Sequence, residues 1–168
     1  RRGFKRHSKK IRSEKDKDNR NILKQKLPAI CFSGKFSKRN DNSIKEHRGF
    51  ICLDFDGYKS NRDLLKEKER LSKDKYVYSV FISPSGNGLK VLVKIPPITE
   101  DHKNYFLSLQ NYFDSDYFDK SCKNVSRVCY ESYDPLIYIN AQSSLWDKII
   151  EQQYTEVHRH NDIPTIPV

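Results

Sequence analysis

The stretch Gly49-Phe50-Ile51-Cys52-Leu53-Asp54-Phe55-Asp56-Gly57 decides the fold. In an extended chain, successive side chains point to opposite faces. Ile51, Leu53 and Phe55 then share one face, and Phe50, Cys52, Asp54 and Asp56 share the other. Both faces are apolar until the two acids at the end, the pattern of a strand in a central sheet position. The acids are thereby placed at the edge of a buried sheet, side by side.

Working outward, residues 60–73 interleave Lys, Glu and Arg with Leu64, Leu65 and Leu71, the pattern of an exposed amphipathic helix. Tyr76-Val77-Tyr78-Ser79-Val80-Phe81-Ile82 is a β-branched and aromatic run and predicts a strand. Ser83-Pro84-Ser85-Gly86-Asn87-Gly88 breaks it with turn chemistry, and Leu89-Lys90-Val91-Leu92-Val93-Lys94-Ile95 returns, closing a hairpin. Pro96-Pro97 stops the strand. Thr99 is the expected N-cap of a helix over about residues 100–113, with Tyr105, Phe106, Leu109, Tyr112 and Phe113 facing inward. Ser126-Arg127-Val128-Cys129-Tyr130-Glu131 predicts another strand, Tyr138-Ile139-Asn140 a short last one, and residues 145–150 a terminal helix. Upstream, Leu27-Pro28-Ala29-Ile30-Cys31-Phe32 predicts a short strand, and residues 37–48 a polar loop or short helix.

The order strand, helix, hairpin, helix, strand implies an α+β fold. Its sheet is mixed and mostly antiparallel, with helices on one face and ferredoxin-like or RRM-like connectivity, preceded by a small N-terminal α/β module. Residues 1–20 read as a basic, flexible arm or frayed helix, 21–150 as the folded unit, and 151–168 as a loose tail.

The chain has 168 residues, the size of one self-supporting domain. Ten Tyr and nine Phe supply core material that a disordered chain lacks. The net charge of +10 is unevenly distributed: residues 1–48 hold 17 Lys and Arg against 5 Asp and Glu, a net +12, and the remainder is at −2. A basic N-terminal part without an apolar face points to nucleic acid ahead of a membrane. No stretch approaches the ~20 apolar residues of a membrane span, and no apolar segment follows the basic start as in a secretory signal. A cytoplasmic protein is expected. The Arg-Arg start and the absence of Met suggest a domain taken from a longer protein. Cys31, Cys52, Cys122 and Cys129 form no CxxC pair and read as reduced, mostly buried thiols.

Three motifs carry chemistry. Asp54 and Asp56, two residues apart on one strand face, repel each other unless a cation lies between them, and hard divalent ions such as Mg²⁺ suit their oxygens. A polar strand end followed by an Asp-Gly turn is the alternative. In the second motif, Ser83, Ser85, Gly86 and Asn87 allow close approach of a phosphate, with Lys90 as its cation, or else form an ordinary hairpin turn with an edge lysine. In the third, Asp119 precedes Arg127. The arginine either clamps a phosphate or pairs with Glu131, and the aspartate caps a loop or joins the acids.

Together these stretches resemble the archaeo-eukaryotic primase superfamily, in particular its branch of BT4734-like (VirE N-terminal) primase-polymerase domains. Residues 26–36, 49–57, 83–94 and 118–135 carry the resemblance, in the family's order. It implies that residues 21–150 are a catalytic domain with an RRM-like half. The implied reaction is two-metal nucleotidyl transfer, with Mg²⁺ or Mn²⁺, from a nucleoside triphosphate to a nucleic-acid 3′-hydroxyl on a single-stranded DNA template. The implied setting is replication of a virus or mobile element, in the host cytoplasm if viral, with a helicase domain as neighbour. Asp54, Asp56 and Asp119 take the place of the family's metal-binding acids. Ser83, Ser85, Gly86, Asn87, Lys90 and Arg127 take that of its nucleotide contacts. Many primase-polymerases have His where this chain has Lys90, a point charge that cannot share imidazole proton chemistry. Lys24, Lys26, Lys35, Lys38 and Arg39 are expected to contact nucleic acid. Two other classes compete: an RRM-like single-strand-binding module without catalysis, and a two-metal nuclease.

Overall fold

A computed structural model describes residues 2–149. The expected tail over residues 151–168 lies outside them. The chain forms helices α1 (Arg2–Ser13) and α2 (Lys17–Gln25), short strands β1 (Ala29–Ile30), β2 (Gly34–Phe36) and β3 (Ile44–His47), then β4 (Phe50–Asp56) and α3 (Asn61–Ser72). The hairpin strands β5 (Val77–Ile82) and β6 (Gly88–Lys94) follow, then α4 (His102–Phe113), β7 (Cys129–Tyr130) and β8 (Tyr138–Ile139).

The main sheet has the order β4-β6-β5-β8 and is antiparallel throughout. β4 and β5 flank β6, joined by α3, which is the split βαβ arrangement expected from the sequence. β4 lies along β6 in continuous register, with Asp54 opposite Lys90 and Asp56 opposite Gly88. The alternation read from the sequence holds. Ile51, Leu53, Phe55, Val91, Val93 and Ile95 enter the main core with Leu64 and Leu71 of α3 and Tyr105, Phe106, Leu109 and Phe113 of α4. Cys52, Phe81 and Leu92 face the other way and meet Cys129, with Phe32, Phe50 and Tyr78 around them. At ~25 cal/mol per Å² of apolar surface removed from water, the larger cluster is the main source of stability.

Several expected boundaries shift. The strand expected from Leu27 to Phe32 contracts to β1, since Pro28 has no N–H to give a ladder; β1 pairs with β7 instead of the main sheet. In place of a loop or helix over residues 37–48, a 3₁₀ turn (Asp41–Ser43) leads into β3, which pairs with β2. α4 starts at His102 with Asp101 in the cap position, not Thr99. The strand expected from residues 126 to 131 is only Cys129–Tyr130, so Arg127 lies in the preceding turn and shares no strand face with Glu131. The helix expected over 145–150 does not form over the described residues: Ser144 and Trp146 N–H groups donate to Lys75 O and Lys94 O, tying this segment to the end of β6 and the approach to β5, and Trp146 is buried against Tyr76 and Tyr112.

Residues 1–20, read as an arm or frayed helix, carry α1 and the first turn of α2. Ile11 is fully buried, His7 Nε2 lies 3.1 Å from Leu23 O, and Asp16 caps α2 through Asn19 N–H. One buried isoleucine and a cap thus do what periodicity does in longer helices. A second polar contact joins β3 to α4. His47 Nε2 and His102 Nδ1 are 3.0 Å apart, both buried, and Gly49 N–H donates to His47 Nδ1. The glycine bond leaves the proton on His47 Nε2, which therefore donates to His102. No helix among the described residues is long and apolar enough to cross a membrane.

Candidate active site

Asp54 and Asp56 stand at the end of β4, where the strand leaves the apolar sheet. Asp54 is 2% exposed, whereas Asp56 is open to solvent. A lone buried carboxylate would be costly, and Asp54 is held by two cations. Lys90 Nζ from the facing strand lies 2.5 Å from its Oδ1, and Arg127 Nη2 lies 3.0 Å from its Oδ2. Burial alone would lower the affinity of Lys90 for its proton, but Asp54 outweighs it and raises the lysine above its ordinary value. Arg127 is raised in the same way by its bond to Asp54.

Asp119 is brought in by backbone pairing. Its N–H donates to Asp54 O, Asp56 N–H donates to Tyr117 O, and Phe118 bridges to Phe55. Its carboxylate lies 3.8 Å from Arg127 Nη2. Burial would raise the Asp119 carboxyl, but donation from Cys122 and Ser121, together with Arg127, holds it below its ordinary value. Cys122 Sγ sits between the two acids, 2.8 Å from Asp119 Oδ2 and 3.4 Å from Asp54 Oδ2. Burial, then the Asp54 charge, push this thiol well up, so it donates as S–H. Ligand atoms of Asp54, Asp119 and Cys122 lie within 4.8 Å of one another.

Beside the acids is a cavity of about 250 Å³ lined by Lys24, Asp54, Asp56, Ser83, Pro84, Ser85, Lys90, Arg127, Val128 and Tyr130. The hairpin turn supplies its serines. Ser83 is buried at 6% exposure and its hydroxyl has no partner. Ser83 N–H and Gly86 N–H close the turn on Gly88 O and Ser83 O, so those two amides are spent within it. Gly86 takes φ +81°, the left-handed region that glycine adopts freely. Gly88 leaves room for Asp56: a Cβ there would collide with Asp56 Oδ1 and lie 2.9 Å from Phe55 O. Lys24 reaches the cavity from α2; burial and the nearby Lys90 lower its proton affinity, against the pull of Asp56.

The residues expected from the sequence to form a site thus largely converge. Asp54, Asp56, Ser83, Ser85, Lys90, Arg127 and Lys24 line one cavity, and Asp119 is bound to its floor through Asp54. Gly86 shapes the turn, and Asn87 is exposed. Lys26, Lys35, Lys38 and Arg39 are exposed and do not line the cavity. Arg127, left between a phosphate clamp and a pair with Glu131, turns to Asp54 and Asp119.

Residues 22–139 match the family model described as BT4734-like, N-terminal domain. The chain belongs to this family. The match covers more than two thirds of the sequence, from within α2 to the end of β8, so the cavity lies inside the BT4734-like domain and α1 ahead of it. No match to the chain was found among curated proteins or among solved structures.

Two site residues were missed from the sequence. Cys122 stands three positions after Asp119, and a single cysteine at that spacing has no motif to announce it. Tyr130 lies in a two-residue strand whose partner, β1, is 100 residues away. Only the fold brings Cys122 to the acids and Tyr130 to the cavity.

Proposed function

We propose that this BT4734-like domain is a primase-polymerase, transferring a nucleotide from a nucleoside triphosphate to the 3′-hydroxyl of a nucleic acid on a single-stranded DNA template. The observation that carries the reading is the cavity itself. Asp54 and Asp56, with Asp119 bound behind Asp54, share it with Lys90, Arg127, Lys24 and the unpartnered Ser83 hydroxyl. A nucleotidyl transfer needs both halves: acids to gather cations at the reacting oxygens, and cations with hydroxyls to hold the triphosphate.

The acids fit divalent ions. The guanidinium of Arg127 already lies against both Asp54 and Asp119, so this point of the site attracts positive charge. Asp54, Asp56 and Asp119 would hold Mg²⁺ or Mn²⁺, which lower the pKa of an attacking hydroxyl and stabilise a leaving pyrophosphate when bound. Cys122, held as a thiol, gives its one proton to Asp119 and packs against Asp54, which fixes the two carboxylates relative to each other. Lys90 and Arg127 are the residues that reach both carboxylate and phosphate. As phosphate oxygens enter, these side chains have a second set of anions to bind, which frees Asp54. The Ser83 hydroxyl donates to a phosphate oxygen at the turn.

A second reading is a single-strand-binding module without catalysis. It is favoured by an apolar groove of about 480 Å³ on the same sheet face, lined among others by Phe32, Tyr78, Phe81 and Tyr130, where bases could stack. A primer synthesis and extension assay on single-stranded DNA, with labelled nucleoside triphosphates and Mg²⁺ or Mn²⁺, separates the two. Metal-dependent product from the native chain, absent in Asp54→Ala/Asp56→Ala, is the expected result. Metal-independent DNA binding with no product would favour the module.

A further inference from the structure

Arg12, in α1, lies outside the matched family region and outside the acidic cluster, yet it rests on the turn that supplies the cavity's serines. Its Nη2 donates to Tyr133 O at 2.7 Å and approaches Ser83 O at 3.4 Å. Its stem covers Gly86: a Cβ built on that glycine would lie 3.0 Å from Arg12 Cγ and Cδ. The surrounding loop is fixed independently. Asp134 Oδ2 accepts from Ile82 N–H at 2.9 Å and from Lys68 Nζ at 2.6 Å, and the Ser132 hydroxyl donates to Ile82 O. Lys5, about two turns before Arg12, lies over the Tyr133 ring at 5.6 Å. Buried Ile11 anchors the helix that carries both cations. The turn therefore has a rigid support on one side, through Ile82, and a single side chain from α1 pressing on the other.

We infer that Arg12 is a positioning residue of the nucleotide site, holding residues 83–88 so that the Ser83 and Ser85 hydroxyls face the cavity. The inference rests on the nucleotidyl-transfer reading above for the identity of the ligand, and on the geometry alone for the clamp. α1 then acts on the outside of the turn while Lys24 of α2 acts inside the cavity, and the His7–Leu23 contact joins the two helices. A small side chain at 86 is needed for the same reason: the space is occupied by Arg12.

The test is made on the full chain. Binding of an Mg²⁺–deoxynucleoside triphosphate is measured by calorimetry for the native protein, Arg12→Ala, Arg12→Lys and Lys90→Ala, together with amide exchange over residues 83–88. Arg12→Ala is expected to weaken triphosphate binding about ten-fold and to speed exchange at Ser83 and Gly86. Arg12→Lys, whose stem still covers Gly86, should recover part of both. In turnover the loss should enter KM for the triphosphate and leave kcat within about two-fold. If Arg12→Ala does not fold, Arg12→Gln is read in its place. Native affinity and native exchange in Arg12→Ala, with affinity lost in Lys90→Ala, overturn the inference and leave the nucleotidyl-transfer reading standing. A native chain that binds no triphosphate overturns that reading and the ligand assignment here together, whatever the exchange shows.

Discussion

Asp56 carries the less comfortable charge of the β4 pair. Partial burial pushes its carboxyl above the ordinary value, Asp54 and Asp119 add to this, and Lys90 and Lys24 only partly offset them. The sign for stability follows from linkage. The folded state holds the Asp56 proton more tightly than the unfolded chain does. Raising the pH past the ordinary carboxylate range therefore ionises the unfolded chain first and opposes folding. Asp56→Asn should raise the thermal midpoint of the metal-free protein at pH 7, and the gain should shrink as the pH falls towards 4. Thermal scans across that range check it; a gain that does not change with pH would mean that the effect is not the charge. Asp54, its neighbour two residues earlier, differs because Lys90 and Arg127 meet both of its oxygens. One sequence pattern, Asp-Phe-Asp, thus holds two carboxylates in unlike surroundings.

At the scale of elements, the joint between β3 and α4 sets the acid limit. His102 is driven down to about 4, by burial first and then by His47; His47 is also lowered by its burial, with Glu100 pulling the other way. Asp41 is the acid that favours a charged His102. A base with a lowered folded pKa contributes stability at neutral pH that is lost as the pH falls through the unfolded value. The loss should run from about pH 6.5 to 4 and reach roughly 3 kcal/mol for His102. Urea titrations at pH 7 and 4.5 should show this slope in the native chain and a flatter one in His102→Gln, whose amide can still accept from His47. The strands that bear the acids and Lys90 were legible because they run six or seven residues, long enough for alternation to show, and their register follows from it. β1, β7 and β8 pair over two residues each, too few for any period, and in place of the helix expected over residues 145–150 the described residues there form no regular element, with Ser144 and Trp146 N–H groups bonded to Lys75 O and Lys94 O. Within the site, the residues adjacent to those long strands were readable, whereas Cys122 and Arg12 depend on bonds made across 68 and 71 residues.

At the scale of the whole molecule, charge decides how a polyanion is met. Lys38 and Arg39 are exposed, follow β2, and stand apart from the cavity. Reversing both to Glu should weaken single-stranded DNA binding and lower the slope of log K against log salt by about 0.7 for each phosphate that is no longer neutralised. Fluorescence anisotropy at several salt concentrations measures both, and an unchanged affinity and slope would remove these two residues from the interface.

Residues 1–48 carry a net +12, whereas residues 49–149 carry no net charge, so the positive charge is unevenly placed and gives the molecule a dipole, with Lys24 of α2 reaching into the cavity. A dipole in the field of a polyanion feels a torque before the two molecules touch. Within about 10 Å at 0.1 M salt the molecule is turned as well as attracted. On the proposed function, a nucleic-acid strand would meet the basic helical end first, and the orientational search that slows most encounters would be shortened to a rotation the charges themselves drive.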